Sequence, residues 1–314
     1  MKKINILVTG CGGDIGQSIG KILNESEYVG NLYGIDISDK NAAKFIYSNF
    51  SLGLPYSDSN YINNLEGIVK RNDISLVIPI AEPELRYLSK VNILESVGAA
   101  KIISASATAL EVGFDKLKTA AFLKERGLPF PVTHDIDMVD KVEHFPVILK
   151  SRTGSGSSKV NIVKDDETFH FIKKNSSGYI VQEYLEGDNG EFTCGVFRSK
   201  DGVIRTIILK RELMGGFSGY GEVISDPEID DLLVKIANEL NLVGSINVQL
   251  RLTVKGPVVF EINPRFSSTV RFRDLFGFRD LIWSIEDKLG LTLSDYTANS
   301  VGKKFFKGFN EYIS

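Results

Sequence analysis

Side chains suited to binding a metal ion lie close together near the C-terminal end of the sequence. Glu261 and Asn263 stand two residues apart after the apolar run Val258-Val259-Phe260, so they share one face of a strand. Gln249 lies in an earlier alternating run, and Lys255-Gly256-Pro257 between the two runs is typical of a hairpin turn. One carboxylate and two amides suit Mg²⁺, which takes oxygen ligands and uses few protein carboxylates. The pattern predicts a metal–nucleotide site, with an ordinary polar hairpin as the alternative.

A lysine at the end of an apolar run is followed by a glycine-serine loop. Residues 146–150 predict a strand that ends at Lys150, and a charge at the end of a buried strand needs an anionic partner. Residues 151–158 offer backbone N–H groups and hydroxyls to phosphate oxygens. The residues expected to contact phosphate are Ser155, Gly156 and Ser157. The loop lacks the Walker pattern, so a plain hairpin loop is the alternative.

A polar-aromatic segment follows the next apolar run. Residues Gln182-Glu183-Tyr184-Leu185 leave the run Ile180-Val181 and can present backbone donors and acceptors to adenine. Glu191 follows shortly after and can accept hydrogen bonds from ribose hydroxyls. The segment alone does not define a nucleotide site. Its position between the Lys150 loop and the Glu261 run is what favours one.

Five further residues are candidates for binding phosphate or substrate. Lys210 opens the glycine-rich stretch 210–221, which predicts either a loop over the site, with Lys210 or Arg211 touching phosphate or the substrate carboxylate, or a plain hairpin. Arg271 and Arg273 can clamp a carboxylate, and the alternative is a surface helix with solvated arginines. Glu82 follows a predicted strand at the edge where open α/β sheets bind ligands, so it can bind an amine. The alternative for Glu82 is an acid that complements a helix dipole.

The glycines near the N-terminus indicate a second kind of site. Gly10, Gly13 and Gly16 follow a predicted strand and open a helix, and Asp36 ends the next strand, where a dinucleotide site would have a ribose-binding acid. Ile15 occupies the position of the last glycine in G-x-G-x-x-G. An NAD(P)-dependent oxidoreductase or epimerase built on this turn therefore remains an alternative.

Alternating strands and helices must position these residues. In the first hundred residues, apolar runs alternate with helical patterns and predict a parallel α/β sheet, whose strands are 4–9, 32–37, 76–80 and 101–104. A helix is predicted over 115–126, and mixed α+β structure follows it. The last stretch, from Tyr296 to Ser314, is predicted to be an extension of uncertain order.

Composition narrows the class of protein. The chain has 314 residues, 43% of them hydrophobic and 25% charged, which is typical of a globular protein of two or three domains. The net charge of -3 does not favour nucleic acid or a membrane surface as partner. Cys11 and Cys194 have no metal-ligand spacing, and the run Ile4 to Val8 is too short for a signal peptide or a membrane span. We therefore expect a cytoplasmic protein.

Taken in order along the chain, these elements resemble the ATP-grasp superfamily, and most closely the carbamoyl-phosphate-synthase-like ligases, over about residues 1–290. The resemblance implies that ATP phosphates are bound by Lys116, within Phe114-Asp115-Lys116, and by Lys150. It also implies an adenine-binding hinge at residues 182–185 and a ribose contact by Glu191.

The resemblance also implies the metal and catalytic sets. Gln249, Glu261 and Asn263 are then ligands of Mg²⁺, with Mn²⁺ as a possible substitute. The first of these positions is often a carboxylate in the superfamily, so a second metal ion would be held less firmly by Gln249. The catalytic residues implied are Arg265, which faces the transferred phosphate, with Lys150 and Lys210.

The fold and activity implied by the resemblance complete the sequence-based expectation. Residues 1–108 would form a Rossmann-like pre-ATP-grasp domain, 109–187 the small lid subdomain and 188–314 the large subdomain with the metal-binding strands. The reaction would activate a carboxylate, of a small molecule or linked to a sugar, as an acyl phosphate and join it to an amine. A homodimer is a possible assembly. A non-catalytic nucleotide-binding subunit is a further alternative, against which the intact Glu261, Asn263 and Arg265 set counts.

Overall fold

The computed structural model of the protein describes residues 3–154, 160–186, 190–298 and 300–313. Within these ranges the chain forms three β-sheets with α-helices packed against them and two short 3₁₀ turns, Ala42–Phe45 and Ile136–Met138. This arrangement confirms the mixed α/β architecture that the alternation of strand and helix patterns predicts.

The first sheet brings two loops together at its carboxyl edge. Its strands are β1 Ile4–Thr9, β2 Val29–Asp36, β3 Asn49–Leu52, β4 Ile74–Pro79, β5 Ser96–Val97 and β6 Ala100–Ile102, and its helices are α1 Asp14–Asn24, α2 Tyr61–Arg71 and α3 Glu82–Lys90. In the described residues the strands lie in the order β3-β2-β1-β4-β6-β5, parallel except for the β5–β6 pair. Because β1 and β4 are neighbours, the loops at Gly10 and Ile80 leave the sheet side by side.

Two helices follow the first sheet but pack against the third. They are α4 Ala107–Gly113 and α5 Lys116–Glu125. Asp115 caps α5, because its side chain accepts hydrogen bonds from the backbone N–H groups of Leu117 and Lys118. Leu110 and Leu123 join the hydrophobic core beneath the third sheet. Residues 109–187, the predicted small subdomain, thus include two helices that pack on the third sheet as well as the second sheet, which begins at Thr133.

The second sheet is small and antiparallel. Its strands are β7 Thr133–Asp135, β8 Val147–Ser151, β9 Asn161–Val163 and β10 Tyr179–Glu183, in the order β7-β10-β8-β9 among the described residues, with α6 Asp166–Asn175 packed on one face. Leu149, Val181 and Phe169 form its core. Since strand side chains alternate, Lys150 and its register partner Ile180 point to the opposite face. That face is turned to the third sheet, where the Lys150 ammonium lies 5.4 Å from the ring centre of Phe260.

The third sheet is the largest. Its strands are β11 Glu191–Arg198, β12 Ile204–Met214, β13 Phe217–Ile224, β14 Gly244–Thr253, β15 Gly256–Asn263 and β16 Lys304–Phe306, and its helices are α7 Pro227–Glu239, α8 Val270–Leu275 and α9 Asp280–Leu289. All pairings found in the described residues are antiparallel, in the order β15-β14-β11-β12-β13-β16.

The two faces of the third sheet have different roles. One face carries apolar residues such as Phe192 and Val248, which pack against α4, α5 and α7. On the other face, the aromatic residues Phe278 and Trp283 from the α8–α9 region cover only the half near Phe197. The uncovered half of this face carries polar side chains, and the second sheet lies opposite it.

Several sequence-based expectations are revised by the structure. The stretch 210–221 is not an open loop but the β12–β13 hairpin, which turns at Gly215 and Gly216, both with positive φ. The hairpin alternative is therefore confirmed. The expected C-terminal extension contributes β16 to the edge of the third sheet, and its Phe305 is buried.

Candidate functional site

A cavity of about 590 Å³ lies where the three sheets meet. The first sheet contributes the ends of β1 and β4 and the residues after them; the second contributes the end of β8; the third contributes the uncovered polar half of its face. The predicted site residues that line the cavity are Lys116, Lys150, Gln249, Glu261, Asn263, Arg265 and Glu82. Residues separated by up to about half the chain are thus brought to one place.

The strand pair β14–β15 positions the oxygen donors. Asn247 is the register partner of Asn263, and Gln249 is the partner of Glu261, so all four side chains share the cavity face. The register shifts immediately after Gln249, where Leu250 pairs with Val259 and leaves Phe260 unpaired. The bulge turns Phe260 towards Lys150 of the second sheet.

Among the predicted metal ligands, the Glu261 carboxylate and the Asn263 amide are hydrogen bonded to each other. Nδ2 of Asn263 donates to Oε1 of Glu261 over 3.0 Å, which leaves the Asn263 carbonyl oxygen free of that bond. Burial raises the pKa of Glu261, but the ammonium groups of Lys150 and Lys116 outweigh it and hold the pKa below its usual value. Glu261 is therefore ionised at neutral pH, as a metal ligand must be.

Lys150 is a buried cation on the second sheet. Its side chain is 6% exposed, and this burial lowers its pKa to about 8, while Glu261 opposes the shift and the neighbouring Lys116 adds to it. The two lysines come from different elements, since Lys116 begins α5 and its ammonium donates to the carbonyl of Gly154. Two ammonium groups facing one carboxylate leave a net positive charge, which suits phosphate.

The arginine that faces the cavity from β12 is Arg211, not Lys210. Side chains alternate along a strand, and Lys210 is exposed and does not line the cavity. Arg211 donates to Oε1 of Gln249 over 2.8 Å and to Glu191 over 2.7 Å. The structure thus places Arg211, the other candidate of this stretch, on the cavity face of β12, and the catalytic role of Lys210 stays a prediction. The same contact occupies the Gln249 oxygen that was expected to bind metal.

The predicted adenine and ribose contacts lie beside the cavity rather than in its wall. Glu191 has both oxygens paired, one with Arg211 and the other with Arg251 at 3.0 Å. A carboxylate oxygen has more than one lone pair, so the ribose contact stays a prediction. Gln182 is buried and donates to Thr133, and Glu183 accepts from the Val132 N–H. Tyr184 and Leu185 follow β10 as irregular backbone.

Glu82 connects the first sheet to the second. It begins α3, is nearly buried, and its Oε1 accepts from the Arg86 guanidinium and from the Gly154 N–H at 3.2 Å. Burial lowers the pKa of Arg265, and the negative charges of Glu82 and Glu261 oppose that shift. Of the predicted phosphate loop, Ser155, Gly156 and Ser157 lie outside the described residues.

The two arginines expected to bind a substrate carboxylate point elsewhere. Arg273 is fully buried and pairs with Asp280 at 3.1 Å, in space left by Gly195, where a Cβ atom would lie 2.5 Å from the guanidinium. Arg271 pairs with Glu25 and does not line the cavity. Both predictions fail because helix α8 turns these side chains into the protein or towards α1.

Side chains of the chain itself contact the glycine-rich turn at Gly12. The Gly12 N–H donates to Oδ2 of Asp36 over 2.8 Å, so the expected ribose-binding acid is bound to the turn itself. A Cβ atom on Gly12 would lie 2.5 Å from the Asn41 amide, which fills the space above the loop. Gly10 and Gly13 nevertheless line the cavity. The turn is thus part of the same site as Glu261.

Some cavity residues were not singled out from the sequence. Asn247 and Thr193 are buried and hydrogen bonded to each other over 2.9 Å. Asn247 stands two residues before Gln249, so strand periodicity contained the signal for it. No comparable signal marks Asp14 or Phe217, which line the cavity from α1 and from the tip of the β12–β13 hairpin.

The described residues lack two features, a cluster of His, Cys, Asp and Glu side chains placed to hold a metal ion and a helix able to cross a membrane. In residues 3–154, 160–186, 190–298 and 300–313, no group of three or more His, Cys, Asp and Glu side chains is placed to hold a metal ion. No helix in the same part of the chain is long and apolar enough to cross a membrane.

Comparison with known proteins identifies the domain. Residues 114–269 match the family model described as the ATP-grasp domain. The carbamoyl phosphate synthase large chain of Thermoplasma volcanium is 24% identical over 239 residues, which is 68% of this chain. This chain spans only 23% of the length of that relative.

Two solved structures share the fold. The N5-carboxyaminoimidazole synthetase of Staphylococcus aureus complexed with ADP matches with a TM-score of 0.75 at 17% identity, covering 94% of this chain and 80% of that one. The L-amino acid ligase of Bacillus licheniformis matches with a TM-score of 0.69 at 17% identity, covering 92% of this chain and 75% of that one. At these identities the likeness concerns the fold.

Proposed function

We propose that this chain, which contains an ATP-grasp domain, is an ATP-dependent ligase that activates a carboxylate as an acyl phosphate and joins it to an amine, releasing ADP and phosphate. One observation carries the proposal. Lys116, Lys150, Arg265 and the ionised Glu261 meet in one cavity, although they come from α5, from β8, from the loop after β15 and from β15. Cations around one carboxylate are what phosphoryl transfer from a metal nucleotide requires.

The residues present fit a magnesium ion. Glu261 supplies the carboxylate and Asn263 an amide oxygen, and Mg²⁺ commonly takes its remaining ligands from water and substrate phosphates. Arg211 occupies one lone pair of the Gln249 oxygen, so Gln249 aligns Arg211 and keeps a second lone pair for the metal ion. The bound metal would neutralise charge on the β- and γ-phosphates. Mn²⁺ has similar ligand preferences.

Individual residues of the chain would have separate roles in this reaction. Lys116 and Lys150 hold the phosphates, and Arg265 faces the group in transfer, where negative charge develops. No nucleophilic side chain is needed, because the substrate carboxylate attacks the γ-phosphate and the amine attacks the acyl phosphate. Positioning of the reacting groups supplies much of the rate. Residues 182–185 would hold adenine, and Glu191 the ribose.

We also propose a division of the chain into domains and a class of substrates. Residues 1–108 would be a Rossmann-like pre-ATP-grasp domain, which the parallel β3-β2-β1-β4-β6 arrangement supports. Residues 109–187 would form the small subdomain, with α4 and α5 linking it to the large subdomain of 188–314. The substrates would be a small carboxylate, free or linked to a sugar, and an amine. The nicotinamide alternative has no support from the turn at Gly12.

Nucleotide titration tests this function. The purified protein is titrated with a non-hydrolysable ATP analogue, with and without Mg²⁺, and separately with NAD⁺ and NADP⁺. We expect Mg²⁺-dependent binding of the analogue and no binding of either dinucleotide. Dinucleotide binding without binding of the analogue would overturn the proposal.

Glu261→Gln tests the assignment of the site itself. The substitution keeps the side-chain volume and removes the charge, so we expect ADP formation to fall by about 100-fold or more, the size of effect seen when one electrostatic contact is lost. The matched control is Glu222→Gln on β13, a residue that does not line the cavity. Equal turnover in both variants would refute the site. The substrates themselves are to be identified by screening carboxylates and amines for phosphate release with the wild-type protein.

A further inference from the structure

The last described segment crosses from one wall of the cavity to another. We name residues 304–313 the C-terminal strap. The strap begins as β16, which pairs with β13 at Tyr220–Phe306 and Gly221–Phe305. Phe305 anchors it, because its ring is buried and stacks on Phe272 with 4.5 Å between ring centres. The Lys307 N–H then donates to the carbonyl of Gly219 over 2.8 Å.

Lys307 joins two residues of the cavity wall. Its ammonium forms an ion pair with Asp14, at the beginning of α1, and lies 5.4 Å from the ring centre of Phe217. The Lys307 side chain is 13% exposed and that of Asp14 is 42% exposed, so the contact with Phe217 is better shielded from water than the ion pair is. Asp14 and Phe217 both line the cavity, one from the first sheet's helix and the other from the β12–β13 hairpin.

The rest of the strap continues in the same direction. The Phe309 ring packs edge-on against Phe217 with 6.2 Å between ring centres. Tyr312 stacks on Phe45 of the first domain at 4.9 Å. The strap therefore contacts both the hairpin tip and the elements of the first sheet along its length. Among these contacts, those of Lys307 join the two directly.

We propose that Lys307 is a positioning residue that fixes the β12–β13 hairpin tip against α1 and so sets the opening of the cavity at its Asp14 end. Lys116, Lys150 and Glu261 mark the phosphate end, and the Asp14 end lies at the carboxyl edge of the first sheet. The Asp14 end is where the carboxylate and amine substrates would enter. That last assignment rests on the proposed function, whereas the positioning of the hairpin does not.

Hydrogen exchange of the free protein tests the positioning directly. Lys307→Met keeps most of the side-chain length and removes the charge, so we expect the amides of residues 212–219 to exchange about fivefold faster. Asp14→Asn should produce a change in the same direction, and Lys307→Arg should restore slow exchange. The control is Lys304→Met, on β16 just before Lys307, whose ammonium is exposed and lies 4.0 Å from Glu222. Unchanged exchange in Lys307→Met would overturn the proposal.

A kinetic readout separates positioning from a merely structural role. We expect Lys307→Met to raise the KM of the carboxylate found in the phosphate-release screen by about fivefold, with the KM of MgATP unchanged. A parallel rise in both values would refute a role confined to the Asp14 end. If neither variant nor wild type binds MgADP, the proposed function fails, while the exchange experiment still decides whether Lys307 holds the hairpin.

Discussion

Among single residues, Lys150 is the group whose ionisation the site depends on most. Burial lowers its pKa to about 8 in the free protein, so part of the population loses the proton just above neutral pH. Phosphate oxygens placed beside the ammonium favour the charged form and raise the pKa again. Nucleotide binding and proton uptake are therefore linked at this residue.

Calorimetry of MgADP binding at pH 8 should detect this linkage. Because Lys150 is about half protonated there, we expect uptake of about 0.5 proton per nucleotide bound. Titrations in buffers of different ionisation enthalpy measure that number, and the uptake should disappear in Lys150→Met. Uptake that persists in the variant would assign the proton to another group.

The same pKa fixes the sign of a stability effect in the free protein. Lys150 has a lower pKa in the folded state than the unfolded value of about 10.4, so the unfolded chain binds more protons between these values. Its contribution to the free energy of unfolding must then rise as the pH increases from about 8 towards 10.4. Burial of the charged ammonium therefore lowers the free energy of unfolding of the free protein, while the same ammonium is placed to bind phosphate.

At the scale of elements, the first turn of α1 depends on close packing against the end of β1. A Cβ atom on Gly16 would lie 2.5 Å from the Cα atom of Cys11 and 2.7 Å from its carbonyl oxygen. Backbone atoms cannot move aside as the end of a long side chain can. Gly16 is therefore required by packing of helix on strand, which also explains a glycine in this turn without any dinucleotide.

Gly16→Ala should consequently destabilise the fold. We expect the free energy of unfolding to fall by about 2 kcal/mol, as for overpacking of a well-filled core. The matched control is Gly13→Ala, because a Cβ atom there would meet nothing within 4 Å and the backbone is extended. Its effect should stay within about 0.5 kcal/mol. Urea unfolding followed by circular dichroism compares the two, and similar losses would contradict the packing argument.

The sequence predicts those features of the site that depend on residues close together along the chain, and it does not predict those that depend on tertiary packing. Period-two alternation placed Glu261 and Asn263 on one face, and the structure has them there with the carboxylate and amide hydrogen bonded. Burial of Arg273 was not predictable, because it depends on space left by Gly195 and on Asp280. The choice between Lys210 and Arg211 likewise depends on which face of β12 meets the second sheet. Tertiary packing determines both the burial of Arg273 and the face of β12 that meets the second sheet, and neither can be predicted from a short run of residues.

At the scale of the whole molecule, an ion pair between Arg152 and Asp115 helps to hold the orientation of the second sheet. The Arg152 guanidinium, just after β8, donates to both oxygens of Asp115 at 2.8 to 3.0 Å. The carbonyl of Arg152 also accepts from the Lys116 N–H. Burial raises the pKa of Asp115, but Arg152 outweighs it and holds the pKa below its ordinary value. The pair thus ties the second sheet to α5, the helix that carries Lys116.

Loss of this tie should weaken nucleotide binding without touching the nucleotide. Asp115→Asn keeps a side-chain oxygen to cap α5 but removes the charge that holds Arg152. If the docked orientation is then only fractionally populated, the apparent affinity for MgADP falls in proportion, and we expect about tenfold. The control is Arg126→Gln, which breaks an exposed ion pair with Glu239 on the neighbouring surface.

Asp115→Asn also distinguishes docking from direct phosphate binding by Arg152. If Arg152 acted mainly as a phosphate ligand, release from Asp115 would free its guanidinium and leave the affinity for MgADP unchanged or higher. If it acts as the tie between the sheets, Asp115→Asn and Arg152→Gln must weaken binding to a similar extent, and the double variant must add little, because both remove one interaction. Titration of the three variants decides between these roles. Additive losses would show that Asp115 and Arg152 act separately and would refute the tie.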